Sequence, residues 1–187
     1  QTAVDGEITI QRADESERRI YGSENAETVI VEFSDYQCPF YARVHSTLKQ
    51  IVDESDGQIA WEYRHFPIKS HTLAAPAAVM AECLAADTGN ESFWKFTDDL
   101  FKEQSQIYAS YLESKANDLG LSEEELLSCS GDETISNRIT LDIQTAVSLG
   151  GAGTPFSVII FPDNSYKSIS GAVPYEQWKS VINSYGK

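Results

Sequence analysis

Cys38-Pro39-Phe40-Tyr41 is where this chain is equipped to do chemistry. It follows closely on the apolar run Thr28-Val29-Ile30-Val31-Glu32-Phe33, so a buried strand delivers a cysteine to the start of a helix. A helix start offers unpaired backbone N–H groups and the positive end of the macrodipole, and both favour thiolate over thiol. Cys38 is therefore expected to be acidic and nucleophilic. Pro39 suits the first helical position, where its missing N–H loses no hydrogen bond. In the redox pattern C-x-x-C a second thiol stands three residues on, one turn below the first, ready to attack a mixed disulfide. Here that position holds Tyr41, a phenol placed to restrict access to the thiol or to donate a hydrogen bond to sulfur.

Other chemistries fit less well. Read plainly, Cys38 is a small buried hydrophobe, as free cysteines often are, but its place before Pro39 is the one reactivity needs. His45, His65 and His71 fall on different elements and none has ligand spacing to a cysteine, so neither a metal nor a cofactor is expected. A Cys-His hydrolase has no more support: His45 lies two turns along the Cys38 helix and His71 is expected to open the next one. Trp61, Trp94 and Trp178 read as core rather than binding platforms. Glu32 and Asp35 flank the site and are candidates to tune Cys38.

The elements that must position these residues can be read from periodicity. The strand of residues 28 to 35 leads into a helix from Cys38 to about Glu54, with Phe40, Val44, Leu48, Ile51 and Val52 at helical spacing, and Ile59 to Phe66 alternates as a second strand. Together they form a βαβ unit. Helices dominate residues 71 to 149. Leu73 to Ala85 is almost wholly apolar and ends near Gly89, Phe93 to Phe101 follows, and Tyr111 to Leu119 stops at Gly120. Ser122-Glu123-Glu124-Glu125 has the form of a capping box opening a short helix towards Cys129. Ile135, Ile139, Ile143, Ala146 and Val147 mark a last helix before Gly150-Gly151. Phe156 to Phe161 and Tyr166 to Ser170 then form a hairpin, and Tyr175 to Tyr185 a final helix. Residues 1 to 27 read as a partly ordered arm in which only Glu7-Ile8-Thr9-Ile10 alternates.

With 187 residues and 41% hydrophobic content the chain can bury the core of one domain carrying an inserted subdomain. A formal charge of −15 argues against nucleic acid or anionic membrane as partners, since both demand clustered Lys and Arg. No stretch approaches the roughly 18 apolar residues of a membrane span, and no targeting signal is visible; a processed chain would have lost one.

The order of elements and three motifs resemble the DsbA-like branch of the thioredoxin superfamily over about residues 20 to 185. The motifs are Glu32 to Phe40 around Cys38; Phe66-Pro67 with His71, Ala74, Ala77-Ala78, Ala81-Glu82-Cys83, Phe93-Trp94 and Leu100-Phe101; and Gly150-Gly151-Ala152-Gly153-Thr154-Pro155. The resemblance implies an α/β class, a thioredoxin-like fold over residues 28–70 and 150–187 with an all-helical insertion over 71–149. It implies that Pro155 is cis and that Thr154, with Pro155, Pro39 and Phe40, holds an extended substrate as an added strand beside Cys38. Cys83 and Cys129 read on their own either as a disulfide, as two reduced core thiols, or with Cys129 an exposed spare. The resemblance favours the disulfide, worth about 3 to 5 kcal/mol for so long a loop, and with it an oxidising bacterial envelope compartment.

The departure from the family is Tyr41. A chain without the second thiol cannot release a mixed disulfide by itself, so the expected activity is monothiol exchange. Cys38 would form mixed disulfides with protein thiols or low-molecular-weight thiols, and an external thiol would complete the cycle. A different reading is a redox-impaired, chaperone-like protein that holds extended partners in the Thr154-Pro155 groove. As for its origin, Tyr41 reads as natural divergence rather than a replacement introduced to trap substrates, for which serine or alanine is the smaller choice.

Overall fold

The computed structural model describes residues 18–185. The alternating Glu7 to Ile10 piece, with the rest of residues 1–17, lies outside the described residues. The chain orders as β1 (Arg19–Tyr21), β2 (Thr28–Ser34), α1 (Tyr41–Asp53), β3 (Ile59–His65), α2 (Ala74–Thr88), α3 (Asn90–Lys102), a 3₁₀ turn (Gln104–Gln106), α4 (Ala109–Asp118), α5 (Glu123–Ser130), α6 (Glu133–Ser148), β4 (Phe156–Ile160), β5 (Tyr166–Ser170) and α7 (Tyr175–Ile182). The class is the expected one: an α/β chain in which α2 to α6 are inserted between β3 and β4.

One five-stranded sheet runs β1-β3-β2-β4-β5. Parallel pairing of β2 with β3 through the α1 crossover is the βαβ unit, and β4 and β5 add antiparallel. β2 is central and covered on both sides, which is why its sequence is a continuous apolar run rather than an alternation. Its alternate side chains still part to opposite faces. Val29, Val31 and Phe33 join Phe66, Ala146, Phe156 and Val158 on one face, whereas Ile30 joins the α1 and insertion core with Val44, Leu48, Trp61, Tyr63 and Phe93 on the other. The same period of two puts Glu32 on the Ile30 face, in register with Tyr63, beneath the first turn of α1.

Several boundaries differ from the sequence expectations. First, part of the arm belongs to the sheet: β1 pairs antiparallel with β3, and the Ile20 carbonyl accepts hydrogen bonds from Asn90 Nδ2 and Trp94 Nε1, each at 2.8 Å. A three-residue edge strand held by side chains has too short a pattern to read. Second, α1 begins at Tyr41 and not at Cys38; successive tight turns, Cys38 N–H to the Asp35 carbonyl and Tyr41 N–H to the Cys38 carbonyl, both 3.0 Å, precede it. Pro39 therefore sits in a turn and not at the first helical position. Third, His71 lies in the turn before α2, and α7 stops at Ile182, where Ser184 and Tyr185 switch to tighter bonds with Val181 and Ile182; Tyr185 then stacks on Phe161, centroids 4.7 Å apart.

Two local devices follow the sequence closely. Ser122 and Glu125 form a reciprocal capping box at the start of α5. The C-terminus of α6 closes with Gly150 N–H to the Val147 carbonyl and Gly151 N–H to the Ala146 carbonyl, Gly150 taking φ +90°. A Cβ on Gly151 would lie 2.8 Å from both the Ala146 carbonyl and the Phe156 ring, so only glycine lets this loop pass so close to β4. Cys83 in α2 and Cys129 in α5 are joined in a disulfide across 46 residues.

Candidate active site

The loops after β2 and after α6 meet. Cys38, 3% exposed, directs Sγ at the Thr154 carbonyl, 3.5 Å away, and the Thr154–Pro155 peptide is cis. Phe40 and Pro39 lie exposed at the rim, Phe40 with 60% of its surface open. The six sequence candidates around the thiol, Cys38, Pro39, Phe40, Tyr41, Thr154 and Pro155, are thus drawn together from two segments. Cys83 and Cys129 lie apart from them in the insertion.

Of the two roles its position suggested, Tyr41 does not take the hydrogen bond to sulfur. Its hydroxyl donates to Glu32 Oε2 at 2.6 Å rather than to sulfur, and its ring is sealed against Phe101, centroids 3.9 Å apart, with Tyr63 and His45 around it. The phenol fills the space one turn below Cys38 and holds a buried carboxylate there. Burial pushes the Glu32 carboxyl up to about 8, and the hydrogen bond from Tyr41 offsets only part of that. Burial likewise drives the Tyr41 phenol well above its usual range, with the Glu32 charge next in importance. No cation approaches Glu32 among the described residues; beside Tyr41, only the Trp61 indole N–H faces the carboxyl and favours its charged form.

The turn carrying Cys38 is tied down by Asp35, offered by the sequence as a tuning group, and by Tyr36, Gln37 and Gln104, whose roles sequence spacing did not single out. The Asp35 carboxylate accepts from Gln37 N–H and Ile68 N–H, both at 2.7 Å, and lies 2.8 Å from His71 Nδ1. The Tyr36 hydroxyl pairs with Thr97 Oγ1 at 2.9 Å and its ring stacks on Tyr63 and Phe101. Gln37 Oε1 accepts from Leu73 N–H at 2.7 Å. Gln104 Nε2 donates to the carbonyls of Tyr36 and Cys38 at 3.0 and 2.6 Å. The Asp35 carbonyl receives the Cys38 N–H, which links the anchored carboxylate to the thiol-bearing turn. These partners lie 33 to 68 residues away, beyond any helical or strand period; the one available signal was the run of polar residues Glu103 to Gln106 straight after an amphipathic helix.

The remaining histidines are structural. His45 Nε2 lies 2.6 Å from Asp98 on α3, and burial lowers its proton affinity despite that carboxylate. His65 Nε2 lies 2.9 Å from Glu82 Oε1 on α2, inside a network with Arg19 and Arg138. Trp61, Trp94 and Trp178 are buried. Among the described residues no group of three or more His, Cys, Asp or Glu could hold a metal ion, and no helix is long and apolar enough to cross a membrane.

Known proteins share this fold. The crystal structure of Pseudomonas aeruginosa DsbA2 is 26% identical with a TM-score of 0.73, covering 89% of this chain and 92% of that one. The catalytic domain of Proteus mirabilis ScsC superposes with a TM-score of 0.76 at 21% identity, covering 91% and 89%, a likeness of fold. A curated relative, the Na⁺/H⁺ antiporter NhaA of Herminiimonas arsenicoxydans, is 27% identical over 136 residues, which is 73% of this chain but only 21% of that protein. This chain therefore spans about a fifth of the antiporter's length. The family described as thioredoxin matches residues 14–184, and with the sheet, the helical insertion and the paired loops in hand, the chain belongs to the thioredoxin family and has a thioredoxin-like fold.

Proposed function

We propose that this protein is a DsbA-like thiol-disulfide exchange protein working with one thiol. The observation that carries the reading is the pairing of Cys38 Sγ with the Thr154 carbonyl while Tyr41, hydrogen-bonded to Glu32, occupies the place of a second thiol. An extended substrate segment adds to the backbone at Thr154, with Phe40 offering apolar contact at the rim. The Cys38 thiolate attacks one sulfur of a substrate disulfide; a new S–S bond forms, the old one breaks, and the other substrate sulfur leaves as a thiolate. Cys38 is the only cysteine not in a disulfide, so the mixed disulfide waits for an external thiol, which attacks the substrate sulfur, takes the substrate into a new disulfide and returns Cys38 as thiolate. Atoms and electrons balance with a peptide or protein disulfide and a low-molecular-weight thiol as co-reactants. The Cys83–Cys129 disulfide supports an oxidising, extracytoplasmic setting.

The test is release of peptide thiol from a model peptide disulfide. The wild-type protein is expected to release one equivalent and retain one half-peptide, and Cys38→Ala to release none. Equal release by Cys38→Ala overturns the proposal. Peptide binding that survives in Cys38→Ala, with no exchange by either protein, replaces it with the holding, chaperone-like role.

A further inference from the structure

Gln104 reaches out of the helical insertion to the backbone of the thiol-bearing residue. We propose that it is a positioning residue for exchange at Cys38, setting the direction of Sγ from a 3₁₀ turn 66 residues away. This rests on the exchange reading above.

Asp35, Tyr36 and Gln37 each anchor through their own side chains to the insertion or to the segment leading into it. Cys38 cannot do so, because its side chain must stay free to react. Pro39 adds no N–H, and Phe40 at the head of α1 has no side-chain cap. The Cys38 peptide is fixed only by its N–H to Asp35 and by what its carbonyl accepts: Tyr41 N–H at 3.0 Å and Gln104 Nε2 at 2.6 Å. The same Nε2 spans to the Tyr36 carbonyl at 3.0 Å, so both amide hydrogens of Gln104 are used and both carbonyls of the turn are pinned to one group. Two acceptors also settle which end of the amide faces the turn. Beside this clamp the buried sulfur makes one hydrogen bond among the described residues, the long one to Thr154, 3.5 Å. If the clamp goes, the Cys38–Pro39 peptide can rotate and Sγ leaves the line it shares with a strand bound at Thr154.

That predicts a split between directed and undirected chemistry. Gln104→Met keeps the length and loses both donors. Its second-order rate with a peptide disulfide should fall about tenfold, the scale of one to two lost hydrogen bonds, while alkylation by iodoacetamide, which needs no alignment, should not fall. Gln104→Glu supplies a pH readout. Ionised, the carboxylate faces two carbonyl oxygens and should exchange more slowly than the Met variant near pH 8; protonated, it regains one donor and should overtake the Met variant near pH 5. Each rate is taken as a ratio to wild type at the same pH. The charged groups beside the turn, Asp35, His71 and Glu103 with its partners Tyr111 and Lys115, stay in place, and dividing each exchange rate by the same protein's alkylation rate at that pH removes any change in thiolate fraction that the new carboxylate causes at Cys38. A misfolded variant would not recover with acid, so the pH rescue separates positioning from loss of fold.

Ratios within about twofold of wild type at every pH, exchange and alkylation falling by the same factor, or a Glu variant whose ratio is flat with pH each overturn the inference. Wild-type protein that alkylates at Cys38 but exchanges with no peptide disulfide overturns the exchange reading and this inference together, whereas the Gln104 results with an active wild type bear on this inference alone.

Discussion

Glu32 and Glu82 are both sealed from solvent, and both lie beside the same strand, β3, Glu32 in register with Tyr63 and Glu82 against His65. Their carboxyls are driven in opposite directions. For both, burial is the largest influence and pushes the carboxyl up. At Glu32 it wins, because the main compensation is a neutral phenol, and the group sits at about 8. At Glu82 it loses to the His65 hydrogen bond and to the charges of His65, Arg138 and Arg19, and the group sits at about 2. The chemistry of the partners decides, not depth. Glu82 belongs to a latch that ties α2 to β1, β3 and α6. Glu32 is a carboxyl that can carry a proton near neutrality, kept beneath the thiol by Tyr41.

The linkage signs differ accordingly. Folded Glu32 binds more protons than the unfolded chain between its ordinary value of 4.5 and about 8, so it drains stability as pH rises through that window. Folded Glu82 binds fewer between 4.5 and about 2; it contributes stability above 4.5 that is lost as pH falls.

The largest expected effect is at the latch. Glu82→Gln leaves Arg19 and Arg138 short of their buried counter-charge and should cost about 3 to 5 kcal/mol in urea unfolding at neutral pH; a cost near zero breaks the contrast from one side. Next, Glu32→Gln should be the more stable protein near pH 9, by on the order of 3 kcal/mol relative to its standing near pH 5; a difference that does not change with pH breaks the contrast from the other side. Tyr41→Phe should lose about 1 kcal/mol near pH 7 and move the Glu32 titration upward, since the phenol donates to the charged form; a carboxyl infrared band followed with pH reads this directly. Smallest is an exposed pair: Lys95→Ala, opposite Asp99 on α3, should stay within about 0.5 kcal/mol, setting the scale for charges left in water.

Much of this architecture is legible in the residues. The apolar run at Thr28 to Phe33, interrupted only by Glu32, announces a strand covered on both faces, the alanine-rich stretch after Leu73 a buried helix, and Ser122 with Glu125 a cap. These signals are local, with periods of two or 3.6 residues or fixed offsets. Cys38 and Pro155 stand out through motif likeness, and the structure brings their loops together. What stays hidden depends on contacts with no period. β1 is three residues long, the polar clamp on the Cys38 turn draws on Ile68, His71, Leu73, Thr97 and Gln104, and whether Glu32 or Glu82 meets a cation is decided by tertiary packing. Even Tyr41, plain as a departure in sequence, reveals its role only when its hydroxyl is found on Glu32.

The proposed one-thiol cycle requires that Tyr41 leave Cys38 without an internal route of release. The measurement is the lifetime of the Cys38 mixed disulfide with a model peptide, followed by intact mass in the absence of added thiol and compared with Tyr41→Cys. Persistence of the wild-type adduct until a small thiol is added, with spontaneous release of the peptide by Tyr41→Cys, is the predicted result. A wild-type adduct that decays unaided as fast as that of the variant contradicts it.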